Sequence, residues 1–248
     1  MNKCRKALNV LFWLALWQAA ALVIGNQILL VGPWEVWKFL VSSLDDPGFW
    51  LRILQSWSRI GIGFAGAFIL GIVFGSLASF KSWIYDLLNP PIMLMKTVPV
   101  ASVVILLLLW AGSRQLSLVI SFLVVFPSIY FSTYEGIRRT DRKLMEMAKV
   151  FRLSFAKKVW YIYRPCVIPF LESACKSAVG MSWKSGAAAE VIGIPEGTIG
   201  ERLYMAKIYL STAELFAWTA VILVFSLISE KAVLWILRKS STGKGRPK

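Results

Sequence analysis

Residues 60–80 read IGIGFAGAFILGIVFGSLASF, twenty-one positions without one charged side chain. A helix rises about 1.5 Å per residue and needs about 20 apolar residues to cross a hydrocarbon core about 30 Å thick, so this stretch has the length and composition of a membrane span. Gly63, Ala67, Gly71 and Gly75 stand four apart within it and fall on one helix face. Such a small-residue stripe lets another helix approach closely where lipid removes the hydrophobic drive. It serves either a contact between subunits or packing within the chain.

Five further apolar stretches lie at about 8–31, 90–111, 115–134, 165–187 and 215–237. The one at 165–187 is the weakest, because Glu172, Lys176 and Lys184 interrupt it. At 57% hydrophobic before its 17 glycines are counted, the 248-residue chain exceeds the apolar share of soluble domains, which is about 45–50% with glycine included. The expected fold is an all-α polytopic membrane helical bundle of about six transmembrane helices, one domain over residues 1–248. The first stretch follows Lys3, Arg5 and Lys6 as a signal peptide would. A signal h-region covers only about 7–15 residues, so 8–31 reads as a retained anchor.

The net charge of +15 has a topological origin, since Lys and Arg collect on cytoplasmic loops of membrane proteins. Arg138, Arg139, Arg142, Lys143, Lys149, Arg152, Lys157, Lys158 and Arg164 crowd the loop at 138–164, and more basic residues fill the tail at 238–248. Six spans with this bias put both the N- and C-termini in the cytoplasm of a multi-pass cell (inner or plasma) membrane protein, and no nucleic-acid partner is called for. Between the first two spans, residues 32–59 read as short amphipathic helices on the outer surface. Trp34, Trp37, Trp50 and Trp57 suit the interfacial aromatic belt there, with turns at Pro33 and at 45–48.

The chain has no histidine, and its three cysteines, Cys4, Cys166 and Cys175, are scattered. No metal, cofactor or disulfide framework is expected. Pro99 is expected to kink the third span, and a kinked helix can line a pathway. Glu172 and Lys176, at i and i+4, are expected to pair. Charges at membrane depth face a bundle interior or a pathway, so Pro99, Glu172, Lys176 and Lys184 are the candidate pathway residues. Glu190 reads as a marker of the outer loop.

The loop at 138–164 is amphipathic as well as basic. Leu144, Met147, Ala148, Phe151 and Phe155 recur at helical spacing among its cations, and that apolar face must be buried against lipid, the chain itself or a second protein. Its frame runs Glu146-Met147-Ala148, Arg152, then Ile162-Tyr163-Arg164-Pro165. This resembles the E-A-A-x-x-x-G-x9-I-x-L-P loop of the inner-membrane permeases of binding-protein-dependent ABC transporters. Glu146, Ala148, Ile162 and Pro165 match in register, while Met147, Arg152 and Arg164 depart. Ser182 to Gly193, Gly197-Thr198-Ile199-Gly200 and Glu214-Leu215-Phe216-Ala217-Trp218 look like segments of the nitrate/sulfonate/taurine-type permeases.

The resemblance implies a permease subunit that forms the pathway for a small solute, such as nitrate, a sulfonate or taurine. A second permease copy, two ATPase subunits and an external solute-binding protein would complete the importer, and ATP and Mg would be held by the ATPase. The loop would be the coupling helix, with Glu146, Met147, Ala148, Phe151, Arg152, Leu153 and Pro165 at or near the ATPase contact. No G-x-x-x-x-G-K-[ST] phosphate loop occurs in the chain, which agrees with ATP being bound elsewhere. A secondary transporter or channel would explain the spans but not the loop. An intramembrane hydrolase built on Ser173-Ala174-Cys175-Lys176 would need a neutral lysine base, and a carboxylate partner for Lys176 opposes that.

Overall fold

The computed structural model describes residues 3–241; the end of the basic tail, 242–248, lies outside them. The described residues form helices joined by short turns, with no strand among them. Two helices, α1 (Lys3–Ile24) and α2 (Pro33–Ser43), precede the long α3 (Pro47–Phe80). The bent pair α4 (Ser82–Thr97) and α5 (Val100–Ala111) leads to α6 (Leu116–Arg138). The loop helices α7 (Arg142–Val150) and α8 (Phe155–Lys158) then lead into α9 (Arg164–Gly193), α10 (Ile199–Ile208) and α11 (Thr212–Ser241).

Several expected boundaries move, each for a local reason. The first apolar helix ends at Ile24 rather than Val31, because Gly25 adopts φ +62° and turns the chain. Residues 47–59 are not separate surface helices but the first turns of α3. Pro47 occupies its first turn and the Asp46 carboxylate accepts from Gly48 N at 2.9 Å, so the helix starts there and runs unbroken for 34 residues. The stretch at 90–111 is not one straight span. Val98 is extended ahead of Pro99, as proline sterics require, and α4 and α5 meet at a bend of 104°. Pro90 and Pro91 lie inside α4 rather than at the start of a span.

By length and apolar composition, three described segments can cross a membrane: α3, residues 113–138 around α6, and α11; the bent α4–α5 pair makes a fourth if taken as one span. The remaining two of the six expected, α1 and α9, miss that standard for different reasons, α1 by length and α9 by composition. The apolar part of α1 is confined to Leu8–Ile24, and α9 carries Glu172, Lys176 and Lys184.

The core is a row of helices in which α3 packs on α6, α6 on α9 and α9 on α11. The stripe on α3 is a contact within the chain. A Cβ at Gly63 would collide with the Leu118 carbonyl, one at Gly71 would come within 2.9 Å of Ile129 Cβ, and one at Gly75 within 2.6 Å of the Tyr130 carbonyl oxygen. Ala67, in the same row, is fully buried. Ser121 of α6 donates to the Ile60 carbonyl at 3.0 Å, tying the two helices where they touch. Ala78, Val125, Ile129, Tyr130, Leu171 and Cys175 form the principal apolar cluster around this seam.

Backbone cannot yield to a new side chain, and overpacking costs about 1–3 kcal/mol even where neighbours are flexible. Gly75→Leu is therefore expected to lower the thermal midpoint of the detergent-extracted protein sharply and reduce its monodisperse yield. Gly61→Leu, at a position with open space around it, should leave both unchanged. Thermal denaturation followed by size-exclusion chromatography checks the pair.

Candidate functional site

The loop between α6 and α9 is built as two short helices around a tight turn. The Asp141 carboxylate starts α7 by accepting from Lys143 N at 2.9 Å. At the other end Leu153 N donates to the Ala148 carbonyl at 2.9 Å and Arg152 N to the Lys149 carbonyl at 3.0 Å. These are the two bonds of a Schellman motif, which places its penultimate residue in the left-handed region and normally puts glycine there. Arg152 holds that position at φ +48°. The turn that glycine would ease is made regardless, with an arginine carrying the strain.

The turn leaves α7 standing away from the bundle with its apolar face uncovered. Phe151 is 71% exposed, Val150 79% and Met147 43%, and Glu146 and Arg152 are exposed beside them. Ala148 is completely buried, so its methyl faces the chain's own interior. Leu153 is half-buried and Pro165 is exposed in the first turn of α9. Behind the loop, Phe80 at the end of α3 meets the rings of Phe155 at 5.9 Å and Tyr163 at 5.4 Å. Residues 159–163 adopt a π-helical turn, a form that recurs at functional sites, before α9 begins. Arg164 lies over Trp160 at 3.9 Å and donates to Ser240 Oγ at 2.9 Å, joining the loop to the end of α11.

The four candidate pathway residues are dispersed. Pro99 sits at the α4–α5 bend, and Lys176 and Lys184 are exposed on α9. The expected pair of Glu172 with Lys176 does not form. Glu172 Oε2 instead lies 3.6 Å from Arg238 Nε of α11. Arg238 reaches across from the neighbouring helix, and that contact replaces the one along α9.

Residues 67–239, from the middle of α3 to the end of α11, match the family described as binding-protein-dependent transport system inner membrane component. The chain belongs to this family. It is similar to the putative aliphatic sulfonates transport permease protein SsuC of Bacillus subtilis, 28% identical over 73% of this chain and 66% of that protein. It is also similar to the taurine transport system permease protein TauC of Escherichia coli, 23% identical over 92% and 85% of the two chains. The nitrate import permease protein NrtB of Synechocystis is 24% identical over 76% and 71%. The chain is thus an ABC transporter permease, a multi-pass protein of the inner membrane, and the family consists of transport permeases.

A fully buried polar contact of the permease lies away from the loop, at the other end of α9. Glu190 is not a marker of an exposed outer loop but is fully buried. Its Oε2 accepts from Ser56 Oγ of α3 at 2.7 Å and from Gly200 N of α10 at 3.3 Å, and Ser56 Oγ accepts from Ile199 N at 2.9 Å. The carboxylate and hydroxyl thereby satisfy two of the open N–H groups that begin α10. Thr198 caps the next by accepting from Glu201 N at 3.2 Å, and Glu201 Oε2 accepts from Gly197 N at 2.7 Å, a variant of the capping box. Gly200 has no room for a Cβ against Glu190, and Gly197 takes φ +73°. The segment Gly197-Thr198-Ile199-Gly200 is thus accounted for residue by residue. One sequence signal for the lock was present, the T-x-x-E spacing of Thr198 and Glu201.

Glu190→Ala would strand buried donors at about 1–3 kcal/mol each, and is expected to destabilise the permease strongly. Glu190→Gln keeps an acceptor oxygen and should cost less than half as much. Thermal denaturation of the two variants in detergent checks the order.

Proposed function

We propose that this chain is the pathway-forming permease subunit of an ABC importer for a small oxyanion. The observation that carries the reading is the uncovered apolar face of α7, held out by a strained turn and braced from behind by Phe80. A helix presented in this way fits a groove on a second protein, the helix-in-groove mode of recognition. In this reading Phe151 fills the groove, Met147 flanks it, and Glu146 and Arg152 supply the polar rim. Ala148, Leu153 and Pro165 act by seating and shaping the loop.

The transporter would contain two such permease copies, one domain each over residues 1–248, with two ATPase subunits holding ATP and Mg. Six spans, α1, α3, the α4–α5 pair, α6, α9 and α11, would leave both termini and the loop in the cytoplasm, as the basic bias requires. Closure of the ATPase pair would draw the two α7 helices together and rock α9, opening the pathway outward to an external solute-binding protein. The names of the sulfonate, taurine and nitrate permeases supply the solute class.

The test is co-purification. Detergent-solubilised wild type is expected to bring down an ATPase. Phe151→Asp, which puts a charge into the apolar contact at an exposed position, should lose at least about nine-tenths of it, as truncation of an interface anchor costs 2 kcal/mol or more. Full retention of the ATPase by the variant, or solute uptake that persists when the ATPase is deleted, overturns the reading in favour of a stand-alone carrier.

A further inference from the structure

A cavity of about 320 Å³ opens between α4, α6 and α9, away from the loop. Its lining includes Lys96 from the last turn of α4, Ser128 and Ser132 from α6, Ser173 and Ser177 from α9, and the ring of Phe131. It contains one cation, four hydroxyls and no carboxylate. That volume lies at the low end of the range for small-ligand pockets, about 300–1,000 Å³.

Two features set these side chains apart from ordinary helix residues. Serines and threonines in apolar helices commonly return their proton to a carbonyl one turn back. Thr133, Ser177 and Ser182 do so here, at 2.8, 3.1 and 2.8 Å. Ser128, Ser132 and Ser173 make no hydrogen bond among the described residues, so their O–H groups are free for a guest. Lys96 likewise has no carboxylate within ion-pair distance among the described residues, and its ammonium stands 5.8 Å from the centre of the Phe131 ring.

The depth matters as well. Ser132 lies six residues from the loop end of α6 and Ser177 thirteen from that of α9, about 9 and 20 Å at 1.5 Å per residue. Measured from those helix ends, the cavity lies within the depth of a hydrocarbon core about 30 Å thick. An ionisable group at that depth, facing a polar cavity, marks a solute path.

We propose that this cavity is a binding station for a small, singly charged oxyanion on the transport path. Lys96 supplies the one compensating charge, and Ser128, Ser132 and Ser173 supply directed O–H donors. One ammonium with no carboxylate among the lining favours an anion over a cation. The inference rests on the permease reading and adds to it Lys96, Ser128 and Ser132, which the sequence did not single out, and a different role for Ser173.

The test uses the transporter purified with whatever subunits accompany it, in phosphatidylcholine nanodiscs and without soluble binding protein. Equilibrium binding of nitrate and of methanesulfonate is measured for wild type, Lys96→Gln, Lys96→Arg and Ser132→Ala. Wild type is expected to bind one anion per permease, with acetamide and tetramethylammonium failing to compete. Lys96→Gln should weaken binding about tenfold or more, while Lys96→Arg stays within about threefold of wild type and Ser132→Ala loses a few-fold. Lys96 is exposed, so the variants are expected to fold; unchanged thermal midpoints check this.

Binding by Lys96→Gln equal to wild type would make Lys96 a helix-end cation only and overturn the proposal. So would the absence of saturable anion binding by wild type, or displacement by added phosphatidylglycerol with no effect of nitrate, which would make the cavity a headgroup site. Co-purification of the ATPase is scored on the same preparations. Its absence from wild type defeats the importer reading, whereas the anion titration reports on the cavity alone.

Discussion

Where Gly63, Gly71 and Gly75 face Leu118, Ile129 and Tyr130, α3 and α6 lie closer together than any side chain would permit. In lipid there is no hydrophobic gain from bringing two apolar helices together, so close van der Waals contact and a few polar bonds must hold them. The seam supplies both, with Ser121 bonded to the Ile60 carbonyl inside it. Because α9 also packs on α6, and α11 on α9, the positions of these helices are referred to this contact.

The two ends of the bundle are held by different chemistry. At one end a buried carboxylate and its serine cap α10 and clamp it to α3 and α9, with no room for a side chain at Gly200. An ion pair between Arg202 and Glu214 at 2.6 Å then fastens α10 to α11, where Trp218 Nε1 also donates to Glu214 at 3.3 Å. At the other end the contacts are aromatic, with Phe80 against Phe155 and Tyr163 and Arg164 over Trp160. Hydrogen bonds to a buried carboxyl group are directional and resist displacement, whereas ring contacts tolerate sliding. The end that carries the exposed α7 is accordingly the more adjustable one.

Much of this was legible in the sequence, for identifiable reasons. Small residues spaced by four report a close helix contact whatever the partner, which is why Gly63 to Gly75 mark a seam in the sequence without saying whether the partner is another subunit or the chain itself. The strained position of Arg152 was foreshadowed by the glycine it replaces in the family loop. Contacts between distant segments were not legible. The reach of Arg238 to Glu172 joins residues far apart in the chain, and no local spacing encodes it. Glu190 looks like any polar residue after a span until Ser56 and the start of α10 close over it. The polar cavity was missed because Lys96 reads alone as a helix-end cation, and its serines lie on two other helices.

The π turn at 159–163 and the single helix that follows it have a mechanical consequence. α9 is one element from Arg164 at the loop to Gly193 beside the carboxylate lock, about 45 Å long at 1.5 Å per residue. A rod of that length turns small angles into useful distances, since a tilt of about 5° pivoting on one end sweeps the other through about 4 Å. With its far end anchored by Glu190 and its near end joined through a π turn to an aromatic hinge, α9 has the makings of a lever with a fixed fulcrum. Ser173 and Ser177, the two cavity serines that α9 supplies, lie between its middle and its loop end, where such a swing displaces them by roughly half to two-thirds as much.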